Sequence, residues 1–317
     1  MKKVLVTYDI PKKGLAILEE KGFQVDFPEK TYFTKEELIE KLPEYDALLA
    51  VFVREVDKEI IQAGKNLKII SNYGVGFNNI DIKVARDKDI AVTNTPVSVC
   101  EPTAELAFGL LLATMRNISG VNLGLRHDPD FKWGIMENLG NTLVGKRLGI
   151  IGMGNIGQAI ARRALAFGME VVYHNRNQLK KSIEDKYEAK YVSLKELLKT
   201  SDAVSLNVPL TDETHHLIDE KALKMMKESA FLVNTARGPV VDESALIEAL
   251  ERGRIAGAGL DVFEEEPHIP EALLDLPNVT LTPHTGSATF EDRILTGKEA
   301  AENIIAFFEG KPQNVVN

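Results

Sequence analysis

The segment 148–167 constrains this chain more than any other. Leu148 to Gly152 reads as a short apolar strand. It runs into a turn with glycines at Gly152, Gly154 and Gly157, and a helical pattern follows over Gln158–Phe167. A strand, a G-x-G-x-x-G turn and a helix in this order open a βαβ unit whose backbone passes close to a ligand. The first glycine permits the tight bend, the second lets the backbone approach a pyrophosphate, and the third lets the helix pack against the strand. The helix start then offers free N–H groups and a partial positive charge to the phosphates. The segment predicts a dinucleotide site.

The rest of the chain agrees with an α/β fold. Short β-branched runs alternate with helical patterns, the arrangement of parallel sheets covered by helices. A first series has strands at Val4–Tyr8, Gln24–Phe27, Ala47–Val51, Lys68–Asn72 and Ala91–Asn94, with helical patterns at Lys12–Glu20 and Lys35–Lys41. A second series has six strands, Leu148–Gly152, Glu170–His174, Ala203–Val208, Ala230–Asn234, Gly257–Asp261 and Val279–Thr282. Six is the number in a full dinucleotide-binding sheet. Between the series lie a turn at Thr95–Ser98 and a stretch, Ala104–Arg116, that is apolar all round and so predicts burial between domains or subunits. Val121–Asn141, which holds the single tryptophan, Trp133, reads as irregular. Asp292–Phe308 reads as an amphipathic helix that returns the chain to the first domain. At 317 residues, and about 150 per domain, two domains are expected.

Composition removes several function classes. The formal charge is -9, from 38 Lys+Arg against 47 Asp+Glu, the wrong sign for a surface that meets phosphate backbones. No nucleic-acid partner is expected. The apolar run at the N-terminus stops at Asp9, too soon for a signal peptide. The stretch Leu106–Met115 falls short of the roughly 20 residues that span a bilayer, so no membrane partner is expected either. The single cysteine, Cys100, makes no intramolecular disulfide, and no Cys/His cluster has metal-site spacing. A cytoplasmic protein without a metal fits these features.

At the end of the second strand of the later series, where an NAD site usually carries a carboxylate for the ribose hydroxyls, the chain has Asn175 and then Arg176. Asn is neutral, and a guanidinium pairs with a 2′-phosphate. NADP(H) is therefore expected over NAD(H). Three more segments follow strands: Asn234–Asp242 with Arg237, Leu260–Pro267 with Asp261 and Glu266, and Leu281–Gly286 with His284. Ligands in open α/β sheets gather at the carboxyl ends of strands, so these groups are able to converge although they lie far apart in sequence.

The glycine turn, N-x-x-R-G at Asn234–Gly238, D-V-F-x-x-E-P at Asp261–Pro267 and T-P-H-x-G at Thr282–Gly286 occur in order and together. In this the chain resembles the D-isomer-specific 2-hydroxyacid dehydrogenase family over essentially its full length, most of all its glyoxylate and hydroxypyruvate reductase branch. The resemblance implies two open parallel-sheet domains, a Rossmann dinucleotide-binding domain (99–285) inserted in a smaller flavodoxin-like substrate domain (1–98 and 286–317), and a homodimer with Ala104–Arg116 near its interface. It implies a catalytic set of His284, Glu266 and Arg237. Substrate contacts would come from Val75, Gly76, Arg237 and Arg54, the last beside Phe52 and Val53. Cofactor contacts would come from Thr103, Gly152, Gly154, Asn155, Ile156, Gly157, Asn175, Arg176, Val208, Pro209, Thr235, Asp261 and Gly286.

The expected reaction delivers a hydride from the reduced nicotinamide to the carbonyl carbon of a small 2-oxo acid and a proton to its oxygen. Histidine alone has an unperturbed pKa near neutrality, which suits His284 to give the proton. Glu266 would favour the imidazolium and orient the ring. Arg237 would hold the carboxylate and polarise the carbonyl. Glyoxylate, hydroxypyruvate and 2-ketogluconate are the expected substrates. Two other readings fit the same residues: an NAD-dependent phosphoglycerate- or lactate-type dehydrogenase, and a cofactor-sensing, corepressor-like interaction protein.

Overall fold

The computed structural model describes all residues, Met1–Asn317. The chain divides into two compact units, Met1–Cys100 with Ser287–Asn317, and Glu101–Gly286. These breaks fall two residues and one residue beyond those expected from the sequence, because the helix Cys100–Met115 starts at the first crossing.

The first unit holds a parallel sheet of β1 (Lys3–Val6), β2 (Gln24–Asp26), β3 (Ala47–Val51), β4 (Ile69–Tyr73) and β5 (Ala91–Thr93), in the order β2-β1-β3-β4-β5. That is the flavodoxin-like order. Every residue of β3 and β4 is buried, as central strands covered on both faces require. Leu48 and Ile70 face one apolar layer, while Leu49 and Ile69 face the other, the period-two alternation of a strand. The long helix Phe290–Phe308 supplies Ala300, Ala301 and Ile304 to that second layer. Its carbonyl at Ala300 accepts from Ser71 Oγ at 3.0 Å. Gly14 permits its close approach, since a Cβ there would lie 2.5 Å from the Ile294 carbonyl oxygen. At the β5 edge, the Val92 N–H donates to Asn317 Oδ1 at 2.8 Å, and the Val316 N–H donates to the Val92 carbonyl at 2.9 Å. The tail thereby covers an otherwise open strand edge.

The second unit holds β6 (Arg147–Ile151), β7 (Glu170–His174), β8 (Ala189–Tyr191), β9 (Ala203–Leu206), β10 (Phe231–Asn234), β11 (Gly257–Leu260) and β12 (Val279–Leu281), all parallel, in the order β12-β11-β10-β9-β6-β7-β8. The order reverses between β6 and β9, the switch point at which doubly wound sheets bind ligands. Leu148 and Ile150 face one core with Ala159, Ile160 and Tyr173; Ile151 faces the other with Leu197, Leu206 and Leu232.

Four expectations are corrected here. The sheet has seven strands instead of six; β8 is a three-residue edge strand, too short to show alternation. The helix after the glycine turn spans Asn155–Ala166 and starts directly after Gly154, inside the motif. The region 121–141 is not wholly irregular, because the helix Ile118–His127 covers its start; Gly120 and Gly124 inside it lower its helical propensity, which hid it in the sequence. Lastly, the helix Cys100–Met115 buries Ala104, Ala107, Phe108, Leu110, Leu111 and Met115 against this unit's own core. Gly259 makes room for it, since a Cβ there would stand 3.0 Å from both Leu110 and Thr114. No single helix is long and apolar enough to cross a membrane; Cys100–Met115 and Ile118–His127 would reach the length only together, and they bend by 63° at their break.

Candidate active site

The carboxyl end of β6 is shaped by its glycines. Gly152 has φ +94°, a conformation costly for any side chain, and a Cβ there would sit 2.6 Å from the Asn207 carbonyl oxygen. A Cβ on Gly157 would fall 2.3 Å from the Gly152 carbonyl oxygen, so only glycine lets the helix lie against the strand. At Gly154 nothing lies within 4 Å of the Cβ position, leaving an open cradle at the helix start. No side chain caps that helix, so its first N–H groups, beginning at Asn155 and Ile156, are directed outward. Thr235 Oγ1 and Asn207 Oδ1 are buried nearby without a hydrogen-bond partner. Open backbone, an uncapped 12-residue helix and orphaned polar atoms fit a dinucleotide.

After β7, Asn175 Oδ1 accepts from the Met153 N–H at 2.7 Å and so braces the glycine turn. Arg176 is exposed, and its charge acts on the exposed Glu213, whose carboxyl is held below its ordinary value by the Thr211 side chain, its own backbone N–H and, more weakly, Arg176. After β9, Val208 is half-buried and the Pro209 carbonyl accepts from Thr214 Oγ1 at 2.6 Å, closing the following turn.

After β10, Asn234 shapes the loop that carries the arginine. Its Oδ1 accepts from the Ala236 N–H at 3.0 Å, and its Nδ2 donates to the Arg237 carbonyl at 3.0 Å. The Arg237 side chain donates to the Ala236 carbonyl at 2.6 Å. Burial pulls the Arg237 pKa down, while the Glu266 charge opposes that pull; an arginine stays protonated regardless. Gly238 is a point of close approach, since a Cβ there would overlap the Phe263 carbonyl at 1.9 Å. The arginine loop and the loop after β11 are therefore pressed together.

After β11, Asp261 is buried and organises the histidine loop. Its Oδ1 accepts from Thr282 Oγ1 at 2.6 Å and from the Thr285 N–H at 2.7 Å, its Oδ2 accepts from the Gly286 N–H at 2.8 Å, and its carbonyl accepts from the His284 N–H at 2.8 Å. Burial raises the Asp261 pKa against these hydrogen bonds. Thr103, 8% exposed, lies beside Gly286, its Oγ1 3.5 Å from where a Cβ would be. His284 takes a left-handed backbone, φ +51°, uncommon outside glycine and held here by its neighbours.

His284 Nδ1 meets Glu266 Oε2 at 2.7 Å, and Glu266 Oε1 accepts from the Phe263 N–H at 3.1 Å. Burial alone would raise the Glu266 carboxyl; the hydrogen bond and charge of His284, the Phe263 N–H and the Arg237 charge outweigh it and hold the group below the usual carboxylate range. Because Glu266 engages Nδ1, Nε2 is the nitrogen placed to exchange a proton. The structure thus brings together Arg237, Glu266, His284 and Asp261 with the glycine turn in the second unit. Val75, Gly76 and Arg54 belong to the first unit. There the Val75 carbonyl accepts from Asn94 Nδ2 and the Gly76 carbonyl from Asn72 Nδ2, both at 2.8 Å, and the Arg54 guanidinium lies 4.1 Å from the Tyr32 ring centroid.

A second histidine pair was not legible in the sequence. His216 Nε2 meets Glu264 Oε1 at 2.7 Å, across 48 residues. Only the fold brings these loops together.

A glycine turn of dinucleotide type shares the second unit with a carboxylate-paired histidine and an arginine, groups that hydride transfer to a carbonyl can use. Residues 108–286 match the model of the D-isomer specific 2-hydroxyacid dehydrogenase NAD binding domain. A glyoxylate reductase of Thermococcus litoralis is 47% identical, over 99% of this chain and 96% of its own. The chain belongs to the D-isomer specific 2-hydroxyacid dehydrogenase family and is an enzyme of that type. Among solved structures, a glyoxylate reductase from Paecilomyes thermophila is 36% identical with TM-score 0.90, covering 99% of this chain and 98% of that one. An NADPH-dependent glyoxylate/hydroxypyruvate reductase from Sinorhizobium meliloti, in complex with NADP and malonate, is 32% identical with TM-score 0.85, covering 99% and 96%.

Proposed function

We propose that this enzyme reduces glyoxylate, hydroxypyruvate and related short 2-oxo acids such as 2-ketogluconate to D-2-hydroxy acids, with NADPH preferred over NADH. The observation that carries the chemistry is the 2.7 Å His284–Glu266 contact, with Arg237 near enough for its charge to act on Glu266. Bound reduced nicotinamide supplies the hydride. His284 gives the proton to the carbonyl oxygen from Nε2, and Glu266 stabilises the imidazolium and fixes the ring. Arg237 holds the carboxylate and favours the negative charge that develops on oxygen. Val75 and Gly76 serve the substrate carboxylate in this reading, and Arg54 the far end of the acid.

The cofactor preference rests on the exposed Arg176, whose charge acts on Glu213 and which a 2′-phosphate would draw to itself, and on the neutral Asn175 beside it. The S. meliloti enzyme, described as NADPH-dependent, supports the same preference. The enzyme is proposed to be cytoplasmic and a homodimer. Support for the dimer comes from the segment 118–144, where Leu123, Trp133, Ile135, Met136 and Leu139 are all exposed, Trp133 at 83% and Ile135 at 94%. Large contiguous apolar exposure marks a partner surface, and light scattering of the purified protein tests it.

The deciding experiment follows the loss of reduced-nicotinamide absorbance with each 2-oxo acid, once with NADPH and once with NADH. Turnover with NADPH and glyoxylate or hydroxypyruvate sustains the reading. Tight cofactor binding without turnover on any of them replaces it with another 2-oxo acid as substrate or with the sensing-protein alternative. Asn175→Asp is expected to shift the ratio of rates toward NADH, since a carboxylate repels a 2′-phosphate.

A further inference from the structure

The turn that carries Arg176 is pinned on both sides of it. On the near side, Asn175 is held by its side chain to the Met153 N–H at 2.7 Å and by its carbonyl, which accepts from Tyr191 Oη at 3.2 Å. On the far side, the Leu179 N–H donates to Tyr173 Oη at 2.9 Å, and Gln178 Nε2 donates to Glu184 Oε1 at 2.8 Å. Tyr173 Oη in turn donates to the same Glu184 Oε1 at 2.9 Å. Tyr173 is fully buried and Glu184 is 7% exposed.

A carboxylate this buried is costly unless its hydrogen bonds are made. Here its one oxygen accepts from two neutral donors, and Lys181 lies 3.9 Å from the other. The Glu184 charge is thus engaged by these donors and Lys181, and the carboxylate on which the Arg176 charge acts is Glu213 instead. A turn already held in its bound shape costs less to order on binding than a loose one. We propose that Glu184, with Tyr173 and Gln178, is the positioning unit that sets cofactor preference, by holding the Asn175–Leu179 turn in the shape that aims Arg176 at a 2′-phosphate. The proposal rests on the NADPH reading above.

The test is calorimetric titration of the full chain with NADP+ and with NAD+, which needs no turnover. Gln178→Ala and Tyr173→Phe are expected to weaken NADP+ about three- to tenfold, the scale of ordering one flexible side chain, and to leave NAD+ within about twofold. Glu184→Gln keeps an acceptor oxygen for both donors and retains the preference, whereas Glu184→Ala loses it. In an Arg176→Ala background, Gln178→Ala has no further effect on NADP+, because interacting groups are non-additive. Equal weakening of both cofactors, or no weakening of NADP+ in Gln178→Ala, overturns the proposal. Gln178 is exposed, so this variant remains informative if Tyr173→Phe does not fold. If Arg176→Ala itself leaves the NADP+ to NAD+ ratio unchanged, the NADPH reading fails, and the proposal with it.

Discussion

The acidic run Glu264–Glu266 carries two histidine–carboxylate pairs of the same length, His284 to Glu266 and His216 to Glu264, each 2.7 Å. The similarity goes further. Both histidines have left-handed backbones, φ 51° and 50°, and the four side chains are about equally exposed, 30% and 33% against 37% and 29%. The differences lie in which nitrogen is used and what surrounds it. Glu266 takes Nδ1 of His284, and the loop behind that histidine hangs from Asp261. Glu264 takes Nε2 of His216, whose ring stacks on His215 at 4.0 Å and whose N–H donates to the Pro239 carbonyl at 2.8 Å. Glu264 also accepts from the Glu243 N–H at 3.4 Å, and the Glu264 N–H donates back to Glu243 at 3.3 Å. In one pair the carboxylate also feels the charge of half-buried Arg237; in the other the outer nitrogen is spent on fastening two loops. Distance and exposure alone do not separate catalysis from scaffolding here.

Substitutions sharpen this contrast. His284→Ala should lower kcat by about 10²–10⁴, the usual worth of a general acid, with cofactor affinity unchanged in a binding titration. Equal turnover would end its assignment as proton donor. Arg237→Ala should raise KM and lower kcat together, for a combined loss on the order of 10² in kcat/KM, since a charged hydrogen bond of about 1.5–3 kcal/mol is removed; a change in cofactor affinity alone would contradict it.

Glu266→Gln should cost less, about tenfold or more in kcat, because the ring keeps a hydrogen-bond partner while the imidazolium loses its negative counter-charge. It also changes the acid limb of stability. The Glu266 carboxyl is held below its ordinary value in the folded chain, so its contribution is fully present above the usual carboxylate range and is lost as pH falls through the lowered value. Thermal melts of Glu266→Gln should therefore show a shallower loss of stability on acidification than the wild type. His216→Ala is expected to do least: kcat within about threefold, and stability reduced by about 1 kcal/mol or less, as for a partly exposed ion pair. A kcat loss comparable to that of His284→Ala would erase the distinction between the pairs.

Features that are local in sequence were legible, and those that depend on distant elements were not. The glycine turn could be read because strand, turn and helix are adjacent, and each glycine has its reason within a few residues. The two series of parallel strands showed in their apolar runs. Arg237, Glu266 and His284 could be named only through motifs occurring together, since each alone reads as an ordinary turn or surface residue. The His216–Glu264 pair and the Tyr173–Glu184–Gln178 cluster carried no such signal. The edge strand β8 was too short to alternate, and the helix Ile118–His127 was hidden because Gly120 and Gly124 lower the propensity of its pattern.

Asn175 holds the glycine turn through its side-chain oxygen, by accepting from the Met153 N–H. A carboxylate is also an acceptor, so aspartate at this position would keep the bond while adding a charge. On the proposed cofactor reading, loop architecture and cofactor choice then rest on two different properties of one residue, its acceptor oxygen and its charge. A lineage built this way would cross from one nicotinamide cofactor toward the other by a single substitution, without passing through a form whose phosphate-binding turn has come apart.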